Sequence, residues 1–224
     1  ISASTASFYS HAFLVPKPNN KWRFVLDYKP LNKVTGSEAW PLPNIKEMIY
    51  RIGESKPKYF AVMDLTSGYY QAPISANSRQ YTAFMTAHGV YEWLRLPMGL
   101  KGAPSYFQRT MATLGLAGLV QTACKLYVDD IIVHGQTEDE FLFRLQQVFE
   151  RLKNFNITLN PEKCRFGLEK VEFVGHTVTR EGVNFSREKL DTVYNFPKPV
   201  LEKQLKSFLG LANWFRDQDR KSVV

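Results

Sequence analysis

Two cysteines in 224 residues, Cys124 and Cys164, are too few for a disulfide framework, and neither has neighbours spaced for zinc. A reducing compartment is the natural reading. Long apolar runs are also missing. The longest uncharged one, around Leu114 to Val120, falls far short of the roughly 20 residues needed to cross a bilayer, so no membrane partner is expected. The chain opens on Ile1 without an initiator Met and shows no charged-then-apolar leader, so no signal peptide is expected. Together with a C-terminal helical pattern that has no clear stop, this suggests a piece of something longer. Internal repeats and low-complexity tracts are absent. Acidic residues are in deficit, 21 against 29 Lys plus Arg, for a net charge of +8. That balance suits a polyanionic partner, although charge alone is equally compatible with a basic protein that has none.

Hydrophobic residues make up 44% of the chain and aromatics 14%, enough for one domain or two closely packed subdomains. Strand-like runs Phe13-Leu-Val and Trp22-Arg-Phe-Val-Leu flank Pro18-Asn-Asn and predict a hairpin with Lys17, Lys21 and Arg23 near its tip. A short helix is expected from Asn44, burying Ile45, Met48, Ile49 and Ile52 and ending at Gly53. Tyr59 to Leu65 reads as a strand that delivers Asp64 near its end, beside the loop Thr-Ser-Gly-Tyr-Tyr. Pro104 and Ser105 can open a helix with Phe107, Met111 and Leu114 inward. Thr137 and Glu140 form a capping box before an amphipathic helix through Phe141, Leu145, Val148, Phe149 and Leu152. Short strands are expected around Val171 to Val174 and His176 to Thr179, and a last apolar helical pattern runs through Leu201, Leu205, Phe208, Leu209 and Ala212. Hairpins interleaved with helices predict an α+β fold with an antiparallel sheet.

Chemistry is concentrated in three aspartates. Lys125-Leu-Tyr-Val and Ile131-Ile-Val-His bracket Asp129-Asp130 as a second hairpin. A two-residue hairpin turn prefers Asn-Gly or Asp-Gly, so Asp-Asp is a poor choice on structural grounds alone. Adjacent carboxylates between apolar strands repel each other, and protons or cations must relieve the repulsion. Mg²⁺ suits a few carboxylates plus waters and phosphates. With Asp64 on a neighbouring strand, three carboxylates could hold two ions about 4 Å apart, the arrangement used for in-line phosphoryl displacement. A solvated turn is the bland reading of Asp-Asp; its apolar flanks and Asp64 argue against it.

Tyr127-Val-Asp-Asp together with Phe60-Ala-Val-Met-Asp-Leu-Thr-Ser-Gly-Tyr-Tyr resembles the reverse transcriptases of retroviruses and LTR retrotransposons. Further segments match in order: Val15-Pro-Lys, Leu31-Asn-Lys, Tyr81-Thr-Ala-Phe, Leu96-Pro-Met-Gly-Leu-Lys-Gly-Ala-Pro and Phe107-Gln. Asn160-Pro-Glu-Lys-Cys, Phe173-Val-Gly-His and Phe208-Leu-Gly-Leu are closer to the Ty3/gypsy class than to lentiviral enzymes.

The resemblance implies a right-hand polymerase fold, with fingers from residues 1–38 and 75–102, a palm from 39–74 and 103–181, and the start of a thumb from 182–224. It implies an RNA-directed DNA polymerase that adds dNTPs to a primer on RNA and DNA templates. Asp64, Asp129 and Asp130 match the catalytic metal ligands, with the Leu65 carbonyl as a further ligand, for two Mg²⁺ ions that Mn²⁺ can replace. For the incoming dNTP the matches are Arg23, Lys17, Tyr69 as the residue that excludes a 2′-hydroxyl, and Met98 where retroviral enzymes carry Gln. Gln108, Tyr127, Gly175 and His176 match positions at the template and primer, His176 being either structural or a phosphate contact. Lys163 falls where polymerases place a lysine near pyrophosphate, as a general acid or simply a surface lysine. Ribonuclease H and integrase segments are expected elsewhere in a parent polyprotein, and the setting implied is cytoplasmic, within virus-like particles. An RNA-dependent RNA polymerase and a silent nucleic-acid-binding relic are the competing readings.

Overall fold

The structure, a computed structural model, describes residues 1–16, 21–36, 39–185 and 187–219. In chain order the strands are β1 (Ser2–Ala3), β2 (Ser10–Pro16), β3 (Trp22–Leu26), β4 (Tyr59–Asp64), β5 (Phe84–Thr86), β6 (Gly89–Glu92), β7 (Cys124–Tyr127), β8 (Asp130–Gly135), β9 (Arg165–Leu168), β10 (Lys170–Phe173), β11 (His176–Thr179) and β12 (Gly182–Phe185). The helices are α1 (Lys29–Val34), α2 (Ile45–Glu54), α3 (Ala76–Arg79), α4 (Ala103–Thr110), α5 (Glu138–Asn154), α6 (Arg187–Tyr194) and α7 (Glu202–Asp219). Among the described residues no helix is long and apolar enough to cross a membrane.

The strands form three sheets, in the orders β1-β6-β5-β2-β3, β7-β8-β4-β9 and β10-β11-β12. All pairings are antiparallel except that of β2 with β5. This is the expected α+β architecture. The first hairpin is β2 against β3, with Val15 opposite Arg23; β5 and β6 extend its sheet. Gly182–Phe185 pairs with β11, so the change from sheet to helices comes at Arg187.

The sheet β7-β8-β4-β9 is the centre of the molecule because it is covered on both faces. Alternation along its two inner strands sends Ala61, Met63, Ile131 and Val133 to one side, where they pack with Phe107 and Met111 and with Phe141, Leu145, Val148 and Leu152 of α5. Phe60 and Ile132 point the other way, against Met48, Ile49 and Ile52 of α2 and Val171, Phe173 and Val178 of the β10-β11 pair. Two-sided burial explains why these strands read as nearly continuous apolar runs.

Local signals hold α2 and α5 in place. The Asn44 side chain accepts hydrogen bonds from the N–H groups of Lys46 and Glu47, at 3.0 and 3.2 Å. The Thr137 hydroxyl accepts from Glu140 N–H at 3.2 Å, while the Glu140 carboxylate accepts from Gln136 N–H at 2.7 Å. Two expectations need correction. Gly53 lies inside α2, which runs to Glu54. Leu114 is 55% exposed, because α4 passes into a wider π turn over Met111–Gly115 that rotates it outward, and Leu116 fills the core instead.

Candidate active site

Asp64 is the last residue of β4 and Asp130 the first of β8, and the two are direct register partners. Their carboxylates therefore lie at the same edge of the central sheet, at strand ends where loops begin. Asp129 adjoins them in the β7-β8 turn. Because Tyr127 pairs with Asp130, the turn's central residues are Val128 and Asp129, not the two aspartates. Val128 has φ +56° and Asp129 does not share the positive sign, which is the pattern of a II′ turn. Glycine normally takes that first position, so the unsuitable residue is a β-branched valine and the strain sits one residue earlier than the sequence suggested.

Gln108 holds this turn. Its Oε1 accepts from Val128 N–H at 2.6 Å and its Nε2 donates to the Leu126 carbonyl at 3.3 Å. The side chain is 2% exposed. The side chain that the resemblance puts at the template is thus buried here, as a support beneath the hairpin that carries Asp129 and Asp130.

The Asp64 turn carries a second left-handed residue, Ser67 at φ +51°, followed by a tight helical turn over Gly68–Gln71. Gly68 sits close beneath the site: a Cβ there would come within 3.2 Å of the Asp129 Cβ and 3.3 Å of the Phe107 ring and press on both. Tyr69 packs against Phe107 at 5.2 Å between centroids. Its hydroxyl pKa is raised by burial and then by the nearby Asp129 charge. Tyr70 stacks on Trp93 at 5.0 Å and anchors the turn, which leaves Tyr69 toward the aspartates.

Repulsion among the aspartates is visible at Asp130, whose pKa is pushed up to about 6 by burial first, then by Asp129 and Asp64. Lys163 partly opposes this shift. Its ammonium engages both oxygens of Asp64, at 3.2 and 3.1 Å. Leu65 is buried in the core, so any ligand role there falls to its backbone. Among the described residues, no three His, Cys, Asp or Glu side chains stand close enough together to hold an ion as arranged here. The donor chemistry nevertheless fits a hard divalent cation: all-oxygen ligands, partly buried, with mutual repulsion that a cation would relieve.

The remaining predicted residues are dispersed. Arg23 is exposed on β3, and Lys17 lies outside the described residues. Met98 is 51% exposed in the loop before α4. Tyr127 pairs with Asp130 and packs against both faces of the central core. Val174 and Gly175, at φ +46° and +76°, form the tight β10-β11 turn. His176 is buried, with Nδ1 at 3.0 Å from the Val174 carbonyl, so of its two readings the structural one is the one its position supports.

Two supports were not foreseen. Asn32 binds the Met98 loop, donating from Nδ2 to the Gly99 carbonyl at 2.8 Å and accepting from Lys101 N–H at 2.7 Å. Gln71 ties the Asp64 turn to residue 158, donating to the Thr66 and Thr158 carbonyls at 2.7 and 2.9 Å and accepting from Thr158 N–H at 2.7 Å. Asn32 lies within one of the matching segments, Leu31-Asn-Lys, but nothing in the sequence signals Gln71.

A sequence model described as "Reverse transcriptase (RNA-dependent DNA polymerase)" matches residues 15–178. The chain belongs to the reverse transcriptase family. The retrovirus-related Pol polyprotein from transposon 412 of Drosophila melanogaster is 37% identical over 222 residues, covering 96% of this chain and 18% of the polyprotein. The Tf2-3 transposon polyprotein of Schizosaccharomyces pombe is 35% identical over 203 residues, 90% of this chain and 15% of its own length. The chain thus spans less than a quarter of the length of these relatives. Among solved structures, the foamy viral protease-reverse transcriptase dRH in complex with double-stranded DNA superposes with a TM-score of 0.84 at 29% identity, covering 96% of this chain and 37% of that one. The same enzyme with an RNA/DNA hybrid gives 0.79 at 29% identity, over 94% and 28%. Reverse transcriptases generally use divalent metal ions, which agrees with the donor set formed by the aspartates.

Proposed function

We propose that this chain is the polymerase portion of an RNA-directed DNA polymerase of the Ty3/gypsy class, extending a primer 3′-hydroxyl with dNTPs on RNA and DNA templates. The observation that carries the reading is the register pairing of Asp64 with Asp130 beside Asp129, which brings the three aspartates to one end of the central sheet. The five-stranded sheet with Arg23 serves as fingers, the central sheet as palm and the helices after Arg187 as the start of the thumb.

Asp64, Asp129 and Asp130 would hold two Mg²⁺ ions, with Mn²⁺ able to replace them and the Leu65 carbonyl as an added ligand. When bound there, the ions would lower the pKa of the primer hydroxyl and neutralise the leaving pyrophosphate. Arg23 supplies a planar fork that suits a triphosphate. Tyr69, held between Phe107 and the aspartates, excludes a 2′-hydroxyl by its bulk. Lys163, whose ammonium lies beside Asp64, would donate a proton to departing pyrophosphate. The natural partners would be a template-primer and the remaining polyprotein segments, ribonuclease H and integrase among them.

Primer extension on RNA and DNA templates, with Mg²⁺ and either dNTPs or rNTPs, tests this reading with Asp129→Asn as control. Extension with dNTPs that the substitution abolishes is expected. Salt-sensitive RNA binding without extension would instead indicate a silent nucleic-acid-binding relic.

A further inference from the structure

We propose that Lys163 is a built-in placeholder for a divalent cation: its ammonium occupies both oxygens of Asp64 until an ion displaces it, and so sets the ion concentration at which the site assembles. The inference rests on the reading of the three aspartates as metal ligands given above.

Lys163 is 62% exposed, and an ordinary surface lysine would sample many rotamers in water. Here its backbone has little freedom relative to Asp64. Asn160 N–H donates to the Asp64 carbonyl at 2.9 Å, and Lys163 N–H donates in turn to the Asn160 carbonyl at 3.1 Å. Upstream, Leu159 bridges Leu65, Thr66 N–H donates to the Thr158 carbonyl at 3.0 Å, and Gln71 adds its three bonds across the same junction. The turn that carries Asp64 and the loop that carries Lys163 therefore behave as one braced unit, with the ammonium delivered onto the carboxylate.

The surroundings suit a temporary cation. A cavity of about 230 Å³ is lined by Asp64, Asp130, Lys163 and Glu172, together with Phe173 and Val174. Lys163 is the single cation in that lining and faces three carboxylates. Without any positive charge these groups would repel, so an ammonium stabilises the metal-free fold. An exposed ion pair of this kind is weak enough for a divalent ion to break.

Mn²⁺ binding to the chain, followed by the electron paramagnetic resonance signal of free Mn²⁺, tests the inference without any reaction. Lys163→Gln is expected to bind Mn²⁺ roughly three- to tenfold more tightly than the unaltered chain. Lys163→Arg, which keeps the charge and can engage both Asp64 oxygens with its planar fork, should bring no such gain. In an Asp64→Asn background, Lys163→Gln should bring no gain, because no carboxylate is left to release. Unchanged or weaker binding by Lys163→Gln, with binding by the unaltered chain still abolished by Asp129→Asn, overturns the placeholder and leaves the metal site standing. If neither the unaltered chain nor Lys163→Gln binds Mn²⁺ in a way that Asp129→Asn abolishes, the reading of the aspartates falls and the placeholder falls with it.

Discussion

The Gln108 side chain accepts a 2.6 Å hydrogen bond from the backbone N–H of Val128, the residue whose left-handed conformation places Asp129 and Asp130. Gln108→Leu leaves a buried donor and acceptor unpaired, at a cost of about 1–3 kcal/mol in chemical denaturation. Misplacement of the aspartates should lower primer extension by about a hundredfold.

Asp130 gives the metal-free protein a distinctive pH response. Its pKa rises from 3.8 to about 6 in the folded state, so the stability it contributes when protonated is present below pH 4 and lost as pH rises through 6. Asp130→Asn should therefore match the unaltered chain near pH 4 and exceed it above pH 6, by about 1 kcal/mol after solvent screening is allowed for. His134 acts in the opposite sense. Burial, then Arg144 and Lys125, depress it from 6.5 to about 4, which removes stability as pH falls through that window. Both proteins share His134, so the difference between their thermal melts isolates Asp130.

Tyr69→Ala should admit ribonucleotides while retaining dNTP incorporation, measured by competitive single-nucleotide extension. Continued rejection of rNTPs would remove Tyr69 from the nucleotide site and leave it as packing for Phe107.

Gly135, at the end of β8, tests how tightly α5 docks on the central sheet. A Cβ there would meet the Phe141 backbone nitrogen at 2.7 Å. Gly135→Ala should cost about 1–3 kcal/mol in denaturant unfolding.

Much of this architecture was legible because it depends on short-range chemistry. Asn44 and Thr137 announce their helices through side chains that can only cap, and Asp64 could be placed at a strand end from the apolar run before it. The turn was misread by one residue because register is a property of two strands, and Tyr127 opposite Asp130 is not written in either alone. The burial of Gln108 is not written in its own helix, because burial depends on what packs above it. Leu114 was assigned inward because a regular helical period cannot anticipate a π turn. The parallel pairing of β2 with β5 joins segments more than 70 residues apart, and no local signal carries it.

The pairing of Asp64 with Asp130 also makes the spacing of the carboxylates a matter of counting. Successive residues of a strand face opposite sides, so inserting or deleting one residue within Tyr59–Asp64 or Asp130–Gly135 would not shift the site slightly; it would send a carboxylate through to the far face or turn the packed interior outward. A one-residue change in the length of either strand therefore breaks the site or the core, whereas additions to the loops leave the parity of the sheet untouched.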